Sequence, residues 1–294
     1  MERPTNQEML KAGVHFGHQT SGWNPKMRPF IFAEKKGVHI IDLNRTSEKM
    51  EEAGRAMKQI AASGRKILFV ATKKQARDIV KRVAQDVRMP YVTERWLGGM
   101  MTNFATIRRS VKKMESIEKL LKDDSVTSLT KKERLLMARQ KQKLENVLGG
   151  IADLNRLPAA IFLVDINYEH IALDESRKLG MRTFAMVDTN SDPNLVDFPV
   201  PANDDSSKSI EKVVNYLGGC VAEGVQQRKD DQAAAKKQKE EQEAAKEAAK
   251  EAAKKEAAEA QKEAADEASD SEAADAGAAE STEDTDTSDT AEKS

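Results

Sequence analysis

The 294 residues are 33% charged, 39% hydrophobic and nearly balanced, with a formal net charge of −1. No apolar run approaches the ~18 residues of a membrane-spanning helix, and a single cysteine, Cys220, excludes an intrachain disulfide. The start, Met1-Glu2-Arg3-Pro4-Thr5-Asn6, lacks the apolar core of a secretory signal, so a reducing, cytoplasmic location is expected.

The balance hides an asymmetry. From Asp230 to Ser294 there are 9 Lys and Arg against 21 Asp and Glu, a net of −12, which leaves 39 against 28, a net of +11, on the body. A basic body points to a polyanionic partner, and an acidic tail to a solvated segment.

In chain order, Thr5 and Glu8 form a capping box that opens a short helix. Residues 12–29 hold three glycines, two prolines, two histidines and Trp23, too irregular for a helix or strand, and read as an extended arm lying over something. Phe30-Ile31-Phe32 and Val38-His39-Ile40-Ile41 bracket Glu34-Lys35-Lys36-Gly37, a β-hairpin with a basic tip. A helix over about 45–62 leads into Ile67-Leu68-Phe69-Val70-Ala71, apolar without alternation, as in a parallel strand buried on both faces. Thr72 is placed to cap the following helix, whose apolar positions are Ala76, Ile79, Val80 and Val83. Comparable strands are expected at Pro90–Thr93, Ala159–Asp165, Thr183–Asp188 and Phe198–Pro201.

Between the second and third of these strands the β-α rhythm breaks. Glu94-Arg95-Trp96-Leu97-Gly98-Gly99-Met100-Met101-Thr102-Asn103 is a glycine-bearing loop at the carboxyl end of a strand, where doubly wound folds place their sites. Two amphipathic helices follow, the second opened by the capping box Thr130/Glu133, and together they predict an antiparallel helical hairpin. Asn203-Asp204-Asp205-Ser206-Ser207 supplies caps for a closing helix through Ile210, Val213, Val214 and Leu217. Beyond about Gln226, Ala-Ala-Lys-Glu repeats support an isolated helix, and from Ser269 a Ser/Thr/Asp/Glu/Ala segment reads as disordered. The expected organisation is an arm and β-hairpin over 1–43, a sheet domain from 44–103 and 151–228, a hairpin insertion over 104–150, and a tail over 229–294.

Chemistry-bearing motifs are sparse. There is no G-x-G-x-x-G after a strand, no P-loop and no nucleophile elbow, so a nucleotide-utilising α/β enzyme is kept only as the alternative. Candidate RNA contacts are Lys11, Trp23, Lys26, Arg28, Lys35, Lys36, Lys73, Lys74, Arg95, Trp96, Thr102, Asn103, Arg108, Arg109, Lys112 and Lys113. Basic side chains among aromatics and amides suit backbone pairing and base stacking. For the basic pairs the simpler reading is a solvated helix face, and for Trp96 a core residue under the loop.

Leu10-Lys11-Ala12-Gly13-Val14-His15-Phe16-Gly17-His18, Trp23-Asn24-Pro25-Lys26-Met27 and Arg95–Asn103 resemble signature segments of the bacterial small-subunit ribosomal protein S-two family. Gly149-Gly150-Ile151, Val187–Pro193 and Asn203-Asp204-Asp205 match it too, in the same order, over roughly residues 5–225. The resemblance implies a flavodoxin-like parallel sheet flanked by helices, with an inserted coiled helical hairpin. It further implies a non-catalytic role in the small subunit, bound to 16S rRNA near the head–body junction and helping to seat the large protein S-one. Its partners would be rRNA and other small-subunit proteins, with no membrane and no DNA. The alanine-glutamate tail departs from the family pattern.

No cofactor is required by this reading. One metal site is nevertheless suggested by the residues. Asp188 ends one strand, and Asp204 and Asp205 follow the next at the same edge. His15 or His18 on the arm would complete an oxygen–nitrogen set for Zn²⁺ or Mg²⁺. The competing reading has these aspartates capping the last helix and holding a loop, with the histidines bonded to backbone.

Overall fold

A computed structural model describes residues 3–122 and 130–238. The chain forms two compact units, Met1–Asp231 and Gln232–Ser294. Of the second unit only residues 232–238 are described, and they are helical and exposed. The disordered tail expected from Ser269 therefore lies outside the described residues.

The first unit is built on a five-stranded parallel sheet in the order β5-β4-β6-β7-β8. Its strands are β4 (Ile67–Val70), β5 (Tyr91–Val92), β6 (Ala160–Leu163), β7 (Arg182–Val187) and β8 (Phe198–Pro201). Counted within this sheet the order is 2-1-3-4-5, the flavodoxin-like winding, with its switch point between β4 and β6. The expected parallel strands are all present. Though the strand sequences are continuously apolar, the pleat sorts them into two cores. Ile67, Phe69, Phe162, Phe184 and Met186 face one way, and Leu68, Val70, Ile161, Leu163, Ala185 and Val187 the other.

The first core is covered by α1 (Asn6–Ala12), α2 (Leu43–Ala62), α3 (Lys74–Asp86) and the closing helix α7 (residues 207–231). Their inward positions, Met50, Ala53, Met57 and Ile60 on α2 or Val213, Leu217 and Val221 on α7, recur at helical spacing. The second core is covered by α4 (Phe104–Lys122), α5 (Lys131–Leu148) and α6 (His170–Lys178), and by Trp96, Met100 and Met101 of the loop after β5. Helices α4 and α5 run antiparallel, since Glu118 meets Lys141 while Arg108 reaches Ala152 and Asn155. Both capping boxes form as read, Thr5 with Glu8 and Thr130 with Glu133.

Two local readings are corrected. Thr72 does not cap α3; the N-cap is Lys73, with no side-chain hydrogen bond to the helix. Thr72 is buried and both its hydroxyl and its N–H are engaged by Glu169, so its side chain is not free to cap and the helix starts one residue later than the hydroxyl signal suggested. The arm is not wholly irregular either. Phe16–Gln19 is a strand, β1, that pairs antiparallel with β3 (Val38–Ile41), and β3 pairs in turn with β2 (Ile31–Lys35). The turn between β2 and β3 places Lys36 at φ 54° and Gly37 at φ 75°, the left-handed pair that a two-residue hairpin needs. Among the described residues no helix is long and apolar enough to cross a membrane.

Candidate nucleic-acid interface and the acidic cluster beside it

The carboxyl ends of the parallel strands hold most of the chemistry-bearing side chains. Lys73 follows β4, Asp165 follows β6, Asp188 follows β7, and Asp204 and Asp205 follow β8. The Lys73 Nζ lies 2.9 Å from Asp204 Oδ1, 2.7 Å from Asp205 Oδ1 and 3.2 Å from Asp165 Oδ2. Burial alone would lower the Lys73 pKa; the hydrogen bonds to Asp205 and Asp204 and the nearby charges reverse that and leave it raised. Asp204, almost fully buried, has its carboxyl pushed up to about 7 by burial and by the charges of Asp165 and Asp188.

The arm crosses this edge. His18 N–H donates to Thr189 Oγ1 at 2.8 Å, and Asn24 N–H to the Thr189 carbonyl at 2.8 Å. The approach is close enough that a Cβ on Gly17 would stand 2.6 Å from Thr189 Cγ2, so only glycine fits there. His18 Nδ1 sits 3.2 Å from Asp188 Oδ2, and its Nε2 sits 3.5 Å from Asp205 Oδ2. The hydrogen bond to Asp188 raises the His18 pKa to about 9 despite burial. His15 points elsewhere: its ring packs on Phe16 and burial lowers its pKa. Asn203, not an aspartate, shapes the turn before α7, accepting from the N–H groups of Asp205 and Ser206.

At the switch point the N-terminal end of α3 offers the site where an open α/β fold would hold a phosphate. Here Thr72 N–H donates to Glu169 Oε1 at 2.6 Å. Glu169 is 4% exposed, and burial raises its pKa. The chain's own carboxylate thus takes the donor that an anionic ligand would need.

The loop Arg95–Asn103 is organised by Glu175 of α6, a residue that carries no motif in the sequence. Its Oε1 accepts from Trp96 Nε1 at 3.0 Å and Gly99 N at 2.7 Å, and its Oε2 from Met101 N at 2.9 Å and Thr102 N at 3.0 Å. A signal was nonetheless present, since Ala172, Leu173 and Ser176 set the inward face of α6 and Glu175 falls within it. Trp96 is 7% exposed, so its ring lies under the loop and offers no stacking face.

The remaining candidate contacts divide by placement. Lys11, Arg28, Lys35, Lys36, Lys74, Arg95, Thr102, Asn103, Arg109, Lys112 and Lys113 are exposed. Trp23 is half-buried against His39, Lys26 is paired with Asp192, and Arg108 is spent on the Ala152 carbonyl and Asn155. Lys73 is held by the acidic cluster. The structure thus leaves the hairpin tip, the α4 surface and the rim of the Arg95–Asn103 loop as the basic surface.

Known proteins are similar to this chain over most of its length. Over 230 residues it is 59% identical to the protein of Cytophaga hutchinsonii described as small ribosomal subunit protein uS2, covering 78% of this chain and 91% of that one. A protein of the same description from Flavobacterium johnsoniae is 59% identical over 222 residues, 76% of this chain and 87% of the other. One from Parabacteroides distasonis is 50% identical over 258 residues, 88% of this chain and 90% of the other. The family model described as Ribosomal protein S2 matches residues 9–224, and the chain belongs to that family.

Proposed function

We propose that the chain is a structural component of the small ribosomal subunit that holds 16S rRNA near the head–body junction, beside other small-subunit proteins, and helps to seat protein S-one. As a ribosomal protein it serves translation without being an enzyme. The single observation that supports RNA binding best is the placement of charge. A body of net +11 keeps Lys35, Lys36, Arg109, Lys112 and Lys113 exposed on projecting elements, while its internal carboxylates are turned inward on Lys73 and His18. Folded RNA is gripped through phosphates and 2′-hydroxyls by such dispersed cations. The nucleotide-enzyme alternative is disfavoured by Glu169, whose carboxylate takes the Thr72 N–H in the loop just before α3.

Reversing charge at Lys35 and Lys36 together, or at Arg109 and Lys112 together, should weaken binding to 16S rRNA roughly tenfold at moderate salt. The log–log salt slope should flatten by about one for each phosphate that is no longer neutralised. The measurement is a filter-binding titration across salt concentrations. A slope unchanged by both double variants would return these residues to ordinary solvated surface.

A further inference from the structure

We propose that His18, Asp188 and Asp204 bind a divalent transition-metal cation of the zinc type, which fastens the N-terminal arm to the carboxyl ends of β7 and β8. One nitrogen and two carboxylate donors from these three residues lie within 4.8 Å of one another. His18 Nδ1 and Asp188 Oδ2 are 3.2 Å apart, close to the ~3.3 Å edge of a tetrahedron with zinc-length bonds.

The acidic cluster alone would not point to a ligand. A second observation does: Asp204 is 1% exposed, its Oδ1 is taken by Lys73, and its Oδ2 is buried with no hydrogen-bond partner among the described residues. A buried carboxylate oxygen without a donor is costly, and a cation supplies the missing partner. Charge points the same way. Asp165, Asp188, Asp204 and Asp205 meet at one edge, and among the described residues Lys73 is the ammonium that sits between them. A ligating imidazole is neutral, so a dication is needed to approach balance.

The surroundings are built as a second layer. Asp188 Oδ1 accepts from Thr189 N–H and Oγ1, which fixes its other oxygen toward His18. The outer nitrogen of His18 faces Asp205, the carboxylate–imidazole–metal arrangement that orients histidine ligands. The His18 side chain is 31% exposed, so an ion has a route in and a fourth position is open to water. An imidazole donor favours zinc over magnesium or calcium, which prefer all-oxygen sets. His15 is outside the set, and Asp205 stands behind His18 as an orienting carboxylate.

The test uses the purified full-length chain, stripped with chelator and dialysed against zinc, with bound metal read by elemental analysis. Wild type should take up about one equivalent, while His18→Ala and Asp204→Asn each weaken uptake about tenfold or more, and His15→Ala leaves it unchanged. Near-UV circular dichroism establishes that each variant is folded. Wild type that is folded and takes up no zinc overturns the site, as does uptake by both ligand variants equal to wild type. Should either ligand variant fail to fold, cobalt added to wild type decides. Intense visible bands of a four-coordinate ion are expected, and their absence overturns the proposal.

Discussion

Replacing Glu175 with alanine is expected to destabilise the protein by about 3–5 kcal/mol, one of the two largest single-residue losses expected outside the sheet core. The carboxylate gathers the Trp96 indole N–H, three backbone N–H groups and the Thr102 hydroxyl around one buried point. Its removal leaves those donors facing apolar neighbours, Met100 and Met101 among them. Glutamine at 175 would repair little, because its amide NH₂ meets donors on one side. Urea unfolding followed by tryptophan fluorescence measures the loss, and a variant within about 1 kcal/mol of wild type would show that water replaces the carboxylate at no cost.

The pH dependence of that contribution has a defined sign. Burial by itself raises the Glu175 pKa, but the donors from Thr102, Trp96, Met101 and Gly99 outweigh it and hold the carboxyl below its ordinary value of 4.5. A depressed carboxylate pKa stabilises the fold above the unfolded value, and that stabilisation is lost as pH falls through the folded one. The gap between wild type and Glu175→Ala should therefore be full at neutral pH and shrink below about pH 4.5.

These elements also mark what the sequence could and could not convey. The sheet was legible because Ile67–Val70, Ala160–Leu163 and Arg182–Val187 owe their structure to continuous apolarity, a local property. The helical hairpin was legible from Ile107, Val111, Met114 and Ile117 at three- and four-residue spacing. Glu175 was legible only as an inward position on α6; what it binds was not, because its donors come from a loop 73–79 residues away. Thr72 failed as a cap for the same reason: Glu169, from across the switch point, claims its hydroxyl as well as its N–H. The arm showed a strand only once β3 lay beside it. The convergence of Asp188 and Asp204 followed from strand adjacency, as parallel-sheet geometry suggested. That His18 and not His15 reaches Asp188 depended on the path of the arm: His18 lies in β1, whereas His15 precedes that strand and packs on Phe16.

The other large effect is expected at Lys73, which reads in sequence as half of a basic pair facing RNA and in the structure is 16% exposed among three carboxylates. Lys73→Met leaves Asp165, Asp204 and Asp205 without their shared cation, and breaking a buried pair on one side costs about 3–5 kcal/mol. Removing both partners is less harmful than removing one, so Lys73→Met with Asp204→Asn should recover about 1 kcal/mol or more over the single variant. Melts in the presence of chelator keep any metal contribution out of the comparison. Lys74, next in sequence but exposed, is the internal control: Lys74→Met should change stability by less than about 0.5 kcal/mol. The same pair separates the two roles a lysine can have on this surface. Lys73→Met is expected to lower stability and leave the salt slope of rRNA binding unchanged, because its charge is already neutralised within the protein. A Lys73→Met chain as stable as wild type but with a shallower slope would place that ammonium on RNA phosphate instead.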